Sequence, residues 1–350
     1  MSVPDGGDLR ARVQKALDGF LDAHRPRLQA MGEELRPLTE ALAEFLSGGK
    51  RLRPEFCFWG HLGAGGRDSD DLVVAAASLE LFQACAIIHD DVMDGSDTRR
   101  GRPAVHRRFA ALHTSHGWNG AASAFGAGAA ILLGDLCLAW SDEMLVGSGM
   151  LNASARQVFD DMRGELMAGQ YLDLLEQVRG DGTVESALRV ARFKSAKYTI
   201  VEPLHLGAAM AGAGDDVLAA YSAYGMPLGE AFQLRDDVLG VFGDPEVTGK
   251  PAGDDLREGK RTALVALALE RASPEQADLV RRLLGDPSLD DAGVGALRQL
   301  LVDTRAVARV EELIAVRTTE ALAALDGTRV TPEAVEVLRG LAVAATARSV

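Results

Sequence analysis

Three observations predict that this chain is an all-α protein. Ala, Leu, Arg and Glu dominate the composition, apolar residues recur at spacings of three and four, and alternating β-branched runs are scarce. We see no β-hairpin signal and no βαβ alternation. With 350 residues, 47% of them hydrophobic, the chain can fill a sizeable core. Because no convincing linker interrupts it, we predict a single domain over 1–350, with a motif-bearing core at about 45–265 and a helical scaffold at 266–350.

The charge and cysteine content of the chain indicate which classes of protein to expect. The net charge is −14, from 37 basic and 51 acidic residues, and without a basic patch a nucleic-acid partner is not expected. Cys57, Cys85 and Cys137 lie far apart in apolar runs, which predicts buried free thiols in a reducing compartment. We expect no signal peptide and no membrane span. These features predict a cytoplasmic, soluble protein.

The helices can be predicted in order. Residues 8–24 and 27–46 form two amphipathic patterns, with Pro26 at the start of the second. A long apolar run at 70–94 predicts a buried helix capped by Asp68 or Ser69. Further apolar helices are predicted at 129–146, at 157–178 with Gln170 and Asp173 one turn apart, and at 192–207, where Pro203 should kink or interrupt the helix. Short patches at 117–128 and 285–293 are predicted to be loops.

The clearest signal is the end of the helix at 70–94, which carries Asp90, Asp91 and Asp94. Asp90 and Asp94 lie one turn apart on one helix face. Carboxylates this close repel each other, and they also lie at the negative end of the helix dipole. A compensating cation is therefore expected, and Mg²⁺ is commonly held by one or two carboxylates plus substrate phosphates. A solvated acidic helix end is the alternative that this motif alone leaves open.

Basic residues lie near this motif in two stretches. Arg99 and Arg100 follow the aspartates and suit a phosphate anion. The sequence GGKRLRP at 48–54 combines two glycines with three cations and opens a helix, whose N-terminal amides favour anions. A helix start with solvated basic residues explains that stretch equally well. Gln83, a polar interruption of the apolar helix, is either a satisfied core glutamine or a ligand contact.

A second region, 221–261, repeats the layout of apolar helix, acidic end and cationic loop. Asp236 and Asp237 end its apolar run, and Lys250 and Lys260 lie in the Gly- and Pro-rich stretch that follows. Two such regions are hard to explain by packing alone. If the two helices face each other across a cavity, the aspartate pairs would clamp several Mg²⁺ ions around one diphosphate.

These motifs together resemble those of the trans-isoprenyl diphosphate synthases, the polyprenyl synthetase family, and within it most resemble a geranylgeranyl diphosphate synthase. The resemblance covers roughly residues 45–265. One motif alone would be weak, but many occur in the family's order: GGKRLRP at 48–54, DDVMD at 90–94, RRG at 99–101, LLGD at 132–135, GQYLD at 169–173, KS at 194–195, FQLRDD at 232–237, and GK at 249–250 and 259–260.

The resemblance implies a role for each matching residue. Asp90 and Asp94, supported by Asp91, would bind Mg²⁺ on the allylic diphosphate, and Asp236 with Asp237 would hold a further Mg²⁺. Isopentenyl diphosphate would be bound by Lys50, Arg53, Gln83 and Arg100. The allylic diphosphate and its leaving group would be bound by Arg99, Lys194, Gln233, Lys250 and Lys260. By the same analogy, Lys194 and Thr199 would help to position the allylic cation.

The resemblance also implies the fold and the reaction. The family is an all-α bundle around a deep central apolar cavity, the isoprenoid synthase type, and is usually homodimeric. It condenses isopentenyl diphosphate with dimethylallyl, geranyl or farnesyl diphosphate and releases pyrophosphate. Mg²⁺ and basic side chains would stabilise the charge on the leaving pyrophosphate, and the apolar cavity would exclude water from the carbocation.

Three positions depart from the family pattern. The second motif reads DDVLG where the family often has DDxxD, so Gly240 removes a carboxylate; either Asp236 and Asp237 suffice or Asp244 substitutes.

Near Lys194, Ser195 stands where threonine is common in the family, and Lys197 competes with Lys194 for the same role. Gln83 stands where many members carry histidine; it can donate a hydrogen bond but cannot become charged.

Product length is predicted from the helix that carries the first motif. An extended isoprene unit of about 5 Å matches one helical turn, so the growing chain should run down the helix from Asp90. The residues four and five positions earlier, Ala86 and Cys85, are small, and Phe82 one turn further is the predicted floor of the cavity. This predicts a C20 product, geranylgeranyl diphosphate, with ordinary core packing of Phe82 as the alternative.

Other functions remain open at this stage. One is a non-catalytic partner subunit of a prenyl synthase, although such subunits typically lose an Asp-rich motif. Another is a synthase with a shorter or longer product, farnesyl or polyprenyl. A terpene cyclase or head-to-head synthase also uses Asp-rich helices, but a cyclase has no second diphosphate to bind and would not need GGKRLRP.

Overall fold

A computed structural model describes residues 6–179, 182–244, 253–286 and 288–347. The described residues are mostly helical, with only one short two-stranded sheet, which confirms the predicted all-α class. The chain divides into two compact units. The first contains Met1–Arg156 and Leu206–Gly212, and the second contains Gln157–His205 and Ala213–Val350. That residues 1–350 act as one domain stays a prediction.

The first unit is built mainly from six helices. They are α1 Gly6–Gln29, α2 Arg36–Leu46, α3 Leu52–Gly63, α4 Asp70–Met93, α5 Val105–Ser115 and α6 Ala122–Gly147. The predicted break at Pro26 was wrong, because Pro26 lies inside α1 and the chain leaves the helix near Gly32, before a 3₁₀ turn at Glu33–Leu35. The loop predicted over 117–128 is also shorter than expected, since α6 begins at Ala122.

Helix α4 is the buried helix that the sequence predicted. Its N-terminus is capped by Ser69, whose side-chain oxygen accepts a hydrogen bond from the backbone N–H of Leu72 at 3.1 Å. Most of its length is buried against α1, α3 and α6. A helix buried on nearly every side can expose ligand-binding residues only where it ends, and that end carries the three aspartates.

A short β-hairpin follows α4 and was missed at the sequence level. Strand β1, Thr98–Arg99, pairs antiparallel with β2, Arg102–Pro103, with Arg99 opposite Arg102. The two turn residues, Arg100 and Gly101, have φ angles of 53° and 72°. A tight two-residue turn of this kind needs positive φ at both central positions. Asn-Gly or Asp-Gly usually signals such a turn, and Arg-Gly is an unusual sequence for it.

The later part of the chain is also helical. Its elements are α7 Ala153–Arg179, α8 Val184–Ala191, a π-helix at Arg192–Val201, α9 Glu202–Met210, α10 Asp215–Phe242, α11 Asp254–Arg257, α12 Ala263–Leu269, α13 Pro274–Leu283, α14 Asp291–Asp303, α15 Ala306–Ala323 and α16 Pro332–Thr346. The interruption predicted near Pro203 is confirmed as the π-helix that precedes it. π-Helical segments are rare and often lie at functional sites.

Two glycines bring the π-helix close to its neighbours in the second unit. A Cβ atom on Gly169 of α7 would lie 2.7 Å from the backbone nitrogen of Lys194, and one on Gly229 of α10 would lie 2.3 Å from Cβ of Ala196. No larger residue would fit at either position without moving the backbone. The close packing determines which side chains of α7 and α10 the π-helix can reach.

The core of the second unit centres on α10. Leu234 and Val238 of α10 pack with buried side chains of α12, α14 and α15, including Leu264, Leu297 and Val310. Charged and polar contacts reinforce this packing from the C-terminal helices.

The guanidinium group of Arg235 donates to Glu311 at 2.6 and 2.7 Å and to the carbonyl of Thr346 at 3.0 Å. Tyr224 Oη donates to the carbonyl of Leu338 at 2.7 Å. Residues of 266–350 thus anchor α10, the helix that carries the second Asp-rich motif. That they act only as a scaffold stays a prediction.

The three cysteines are buried free thiols, as predicted. Burial raises the pKa of Cys57 and Cys137 far above the ordinary thiol value and that of Cys85 to about 12, so all three are protonated at neutral pH.

Two helices, α4 and α6, are long and apolar enough to cross a membrane by length and composition. The buried core helix of a soluble protein meets the same criterion. Of the apolar window, 72% is buried in α4 and 28% in α6. By length and composition alone, these two helices are only weak evidence for a membrane span.

Candidate functional site

The first Asp-rich motif occupies the C-terminal turn of α4. The N–H of Asp94, the C-cap residue, donates to the carbonyl of Asp90 at 2.8 Å, so the two residues are stacked one turn apart as predicted. Asp90 and Asp94 are half-buried, whereas Asp91 is only 1% exposed. Arg99 of the hairpin donates from Nε to Asp91 Oδ1 at 3.0 Å and also contacts that oxygen through Nη2. The three carboxylates therefore lie in two different environments.

The hairpin turn places Arg100 beside the glycine loop of GGKRLRP. Gly48 and Gly49 have φ angles of 72° and 98°, and a Cβ on Gly49 would lie 3.7 Å from Nη2 of Arg100. Arg100 Nη1 donates to the carbonyl of Phe45 at 3.2 Å, and its guanidinium carbon lies 5.5 Å from the centre of the Phe45 ring. Two basic stretches separated by about fifty residues in sequence therefore meet within the first unit.

The charges around Arg100 form a cationic cluster. Partial desolvation lowers the pKa of Arg100, the negative charge of Glu80 opposes this, and the positive charges of Arg51, Arg99 and Arg53 lower the pKa further. Like charges held this close are unfavourable in the absence of an anion. Lys50 is exposed and Arg53 half-buried at the start of α3. The cluster is thus suited to bind a multiply charged anion such as a diphosphate.

Arg51 is buried, unlike the neighbouring cations Lys50 and Arg53. It is buried with a φ of 55°, pairs with Glu80 of α4 and contacts the carbonyl of Leu46. The nitrogen that contacts Leu46, Nη2, also donates to Gln14 Oε1 of α1 at 2.6 Å. Arg51 therefore links α1, α3 and α4. Its buried partner Glu80 was not predicted, because in the sequence it is only a single acidic residue in an apolar run.

The residues predicted to determine chain length lie on α4. Phe82 and Cys85 are buried, and Ala86 and Gln83 are half-buried. Phe82, Ala86 and Asp90 follow one another at intervals of four residues, so they form a single ridge along the helix. Cys85 belongs to the neighbouring ridge that faces α6: its Sγ lies 3.7 Å from His89 Nδ1, and a Cβ on Gly134 of α6 would collide with the His89 ring.

In the second unit, the π-helix carries polar side chains to α7 and α10. Lys194 Nζ donates to Asp173 Oδ2 of α7 at 2.6 Å. Ser195 Oγ donates to Gln233 Oε1 of α10, and Gln233 Nε2 donates to Asp237 Oδ1 at 2.7 Å. The serine that replaces the family's common threonine thus makes a defined contact.

Lys197 is engaged elsewhere in the second unit. Its Nζ lies 2.5 Å from both carboxylate oxygens of Glu165 and 3.5 Å from Glu202 Oε1. Burial raises the pKa of Glu202 to about 7, because the cation of Lys197 only partly offsets the loss of water. Lys197 is therefore held between Glu165 and Glu202, whereas Lys194 donates to Asp173. Thr199, on the same π-helix, is buried.

The second aspartate pair lies near the end of α10. Asp237 is buried, and burial raises its pKa to about 7; the hydrogen bond from Gln233 acts in the opposite direction, and the nearby charges of Asp255 and Asp236 raise the pKa further. Lys260 Nζ lies 3.4 Å from Asp255 Oδ1 and 2.6 Å from Glu258 Oε2.

Lys250, a predicted substrate-binding residue, lies outside the described residues. Asp244, the predicted substitute for residue 240, is exposed beyond the end of α10. Asp255 received no role from the sequence. A Cβ atom on Gly240 would lie 1.8 Å from its Oδ2, so its carboxylate lies at the face of α10 that carries the aspartates.

Within the described ranges, no three His, Cys, Asp or Glu side chains are grouped closely enough to hold a metal by themselves. Mg²⁺ is usually bound through one or two carboxylates together with substrate phosphates, so a complete protein cage is not needed. Asp90 with Asp94 on α4, and Asp236 with Asp237 on α10, offer the hard oxygen ligands that Mg²⁺ prefers. A bound cation would also offset the negative charge of Asp255 and Asp236, which adds to the effect of burial in raising the pKa of Asp237.

Comparison with known proteins agrees with the predicted resemblance. A family model for polyprenyl synthetase matches residues 36–301. The chain is 37% identical over 235 residues to a geranylgeranyl diphosphate synthase of Mycobacterium tuberculosis, covering 67% of this chain and 62% of that protein. It is 33% identical over 268 residues to a geranylfarnesyl diphosphate synthase of Aeropyrum pernix, covering 75% of this chain and 78% of that protein.

Among solved structures, the fold is similar to that of a geranylgeranyl pyrophosphate synthase from Corynebacterium glutamicum, in complex with isoprenyl diphosphate and magnesium. The TM-score is 0.95 at 42% identity, and the match covers 99% of this chain and all of the other. Relatives of different product length thus share this sequence pattern.

Proposed function

Because the chain belongs to the polyprenyl synthetase family and is a trans-prenyltransferase, we propose that it condenses isopentenyl diphosphate with an allylic diphosphate to form geranylgeranyl diphosphate. One observation carries this proposal: the arginine cluster around Arg100 lies in the same unit as the aspartates of α4 but is built from different side chains. A condensing enzyme must bind two diphosphates, whereas a cyclase binds one.

The cationic cluster is the proposed isopentenyl diphosphate site. Arg100 and Arg53 would donate charge-assisted hydrogen bonds to the diphosphate, and the exposed Lys50 would add a third cation. Gln83, half-buried on α4, would complete the site as a neutral donor. The positive φ angles of Gly48 and Gly49 let the loop backbone come close to the bound anion.

The allylic diphosphate is proposed to bind where Asp90 and Asp94 end α4, with Arg99 as a direct contact. Family members use Mg²⁺ in catalysis, and when bound it supplies positive charge to the diphosphate oxygens. Asp90 and Asp94 would hold it on α4, with Asp91 in support through its contact with Arg99.

Side chains of the second unit are also proposed to bind diphosphate. Asp236 and Asp237 would hold further Mg²⁺, and Lys194 and Lys260 would donate to the pyrophosphate as its charge develops. Gln233 would orient Asp237 through the 2.7 Å hydrogen bond and could also donate to the diphosphate. Thr199 and Lys250 are proposed contacts on the basis of the resemblance.

The reaction needs no protein nucleophile. As the allylic C–O bond breaks, the bonding electrons leave with pyrophosphate, and the isopentenyl double bond attacks the resulting carbocation. Loss of a proton from the new cation, taken up by the departing pyrophosphate, gives the product. Arg99 would hold that pyrophosphate in place, so that it acts both as leaving group and as base.

The C20 product length is proposed from the ridge that links Phe82, Ala86 and Asp90. The small Ala86 would let the chain pass, and the buried Phe82 would stop it. Geranyl or farnesyl diphosphate would then be extended and geranylgeranyl diphosphate released.

We further propose a homodimer formed through α6. Its apolar side chains Phe125, Ile131, Leu132 and Val146 are exposed, with Leu132 66% exposed. Apolar patches of this kind usually mark an interface. Light scattering should give the mass of a dimer, and Leu132→Glu should reduce it to a monomer. Met31→Glu, which changes an exposed methionine outside α6, is the control. We also propose that the enzyme is cytoplasmic, where its buried thiols would stay reduced.

A product assay tests the proposed reaction. The enzyme is incubated with isopentenyl diphosphate and dimethylallyl, geranyl or farnesyl diphosphate, with Mg²⁺ or with excess EDTA, and products are separated by chain length. We expect C20 product from all three starters and none in EDTA. Elongation that persists without divalent cation would refute the mechanism. Cyclised hydrocarbon from a single allylic diphosphate would indicate a cyclase, and no product unless another subunit is added would indicate a partner subunit.

A further inference from the structure

The carboxylate of Asp255 in α11 occupies the space into which a side chain at position 240 of α10 would extend. A Cβ atom on Gly240 would lie 1.8 Å from Asp255 Oδ2 and 2.5 Å from its carboxyl carbon. Such distances are far inside van der Waals contact, so no side chain can be placed at position 240 while Asp255 keeps its position. The carboxylate of Asp255 therefore lies against α10 at the point where a residue-240 side chain would begin.

Position 240 lies on the helix face that carries the aspartate pair. It follows Asp236 by four residues and Asp237 by three, the two spacings that place helix residues side by side. The second motif reads DDVLG, and a third carboxylate is missing from α10 itself. Asp255 brings a carboxylate to that same position from a different helix.

The packing of α11 explains why Asp255 is held there. The next residue, Leu256, is 2% exposed and belongs to the core cluster that contains Val238 and Val294. The N-cap residue of the helix is Gly253, whose φ is 80°, and the N–H of Gly285 donates to the carbonyl of Leu256 at 2.9 Å. A buried neighbour on the same short helix thus fixes Asp255 close to α10.

We propose that Asp255 is the third carboxylate of the second Asp-rich motif and acts with Asp236 and Asp237 on Mg²⁺ and its diphosphate. This inference rests on the proposed assignment of Asp236 and Asp237 to Mg²⁺. It replaces both explanations suggested by the sequence, that two aspartates suffice or that Asp244 substitutes. Asp244 is exposed past the end of α10, whereas Asp255 lies between Lys260 and Gly240.

The experiment measures Mn²⁺ binding in the presence of inorganic pyrophosphate, by calorimetry and by the electron paramagnetic resonance signal of unbound Mn²⁺. Asp255→Asn should weaken Mn²⁺ binding about tenfold or more, a loss typical of residues that support a metal site. Gly240→Ala should cause a similar loss, because its methyl group displaces the Asp255 carboxylate. Asp244→Asn, which removes an exposed acid of the same region, should change the affinity by less than about twofold.

A double variant distinguishes a metal role from a role in holding Lys260. Gly240→Asp combined with Asp255→Gly moves the carboxylate onto α10 into the vacated space, and it should recover most of the affinity that Asp255→Asn loses. A carboxylate at 240 that restores Mn²⁺ binding supports the proposal. Failure of this variant to recover, while its melting temperature in EDTA matches that of the wild type, would overturn it.

Asp236→Asn separates this inference from the proposed function. If Asp236→Asn weakens Mn²⁺ binding and Asp255→Asn does not, only the role of Asp255 is refuted. If neither variant changes Mn²⁺ binding, the assignment of the second motif to the metal is refuted as well, and with it the role of Asp255.

Discussion

Arg99 donates from Nε to Asp91 Oδ1 at 3.0 Å, so the middle carboxylate of the first Asp-rich motif is paired with an arginine of the following hairpin. Asp91 is 1% exposed, whereas Asp90 and Asp94 on either side of it are half-buried. The arginine also places a positive charge next to three clustered carboxylates. Part of the repulsion expected from the sequence is therefore relieved by the protein itself, and the outer two aspartates remain the stronger candidates for metal ligands.

Asp91→Asn should separate the positioning of Arg99 from metal binding. We expect a smaller loss of Mn²⁺ affinity than for Asp90→Asn, together with a raised KM for the allylic diphosphate, because Arg99 loses its buried partner. The free energy of unfolding should fall by about 1–3 kcal/mol, measured by urea denaturation. Asp97→Asn, which breaks the exposed pair with Arg107, should change it by less than about 1 kcal/mol. Equal loss of Mn²⁺ affinity in Asp91→Asn and Asp90→Asn would contradict this division of roles.

Arg100→Gln should raise the KM for isopentenyl diphosphate about tenfold or more, since a charge-assisted hydrogen bond is lost. The KM for the allylic diphosphate should change little. Without ligand, the melting temperature should rise or stay constant, because one of several mutually repelling cations is gone. Arg102→Gln, on the same hairpin but paired with Glu44 at 2.6 Å, is the matched control. A raised KM for the allylic substrate alone would exclude Arg100 from the isopentenyl site.

Lys194→Ala should mainly affect catalysis, whereas Lys197→Ala should mainly affect stability. Lys194→Ala should lower kcat by about 100-fold, as expected when a group that stabilises developing charge is removed. The loss of its pair with Asp173 should lower the melting temperature less than Lys197→Ala does. Lys197→Ala should mainly lower the melting temperature, because Glu165 and Glu202 would be left without their shared cation. Steady-state kinetics and thermal denaturation measure the two effects. If Lys197→Ala lowers kcat as strongly as Lys194→Ala, the two lysines share the role.

Glu202→Gln should make stability less dependent on pH. The pKa of Glu202 is about 7 in the folded protein, above its ordinary value of 4.5, so the folded state binds this proton more tightly than the unfolded state does. The contribution of Glu202 is therefore most favourable below about pH 4.5 and is lost as pH rises to about 7. Relative to the wild type, Glu202→Gln should become more stable between pH 5 and pH 8, by a few kcal/mol at most.

Urea denaturation in EDTA at both pH values measures this difference. Glu185→Gln, which changes an exposed acid of α8, should show no such trend. A Glu202→Gln variant that loses stability relative to the wild type as pH rises would contradict the sign of the effect.

Phe82→Ala should lengthen the product beyond C20, because the floor of the predicted channel would be removed. It should also lower stability by about 3–5 kcal/mol, since Phe82 is buried. Phe82→Leu is the milder variant if folding fails. Leu81→Ala, a buried residue of the same helix off the ridge, should cost stability without lengthening the product. Unchanged product length in a folded Phe82→Ala enzyme would leave Phe82 as a core residue only.

Much of the fold followed from sequence because its signals are local. The periodic apolar run of α4, its Ser69 cap and the interruption before Pro203 depend on neighbouring residues, and all three are confirmed. The hairpin was missed because its turn places a non-glycine residue, Arg100, at positive φ. Arginine rarely adopts this conformation, so the sequence does not predict the turn. The break expected at Pro26 failed because the helix accommodates proline in its last turns.

The residue types of the candidate site were evident from sequence, but their pairings were not. The order of the Asp-rich and basic motifs was enough to identify the family and to nominate nearly all of the residues given a role here. Sequence could not distinguish the buried Arg51 from its neighbours Lys50 and Arg53, or Lys197 from Lys194, because the partner of each cation lies on another helix. Nor could it show that Gly240 leaves room for Asp255. Local patterns determine which residues form helices and carry charge; only the packing of distant segments decides which charges meet.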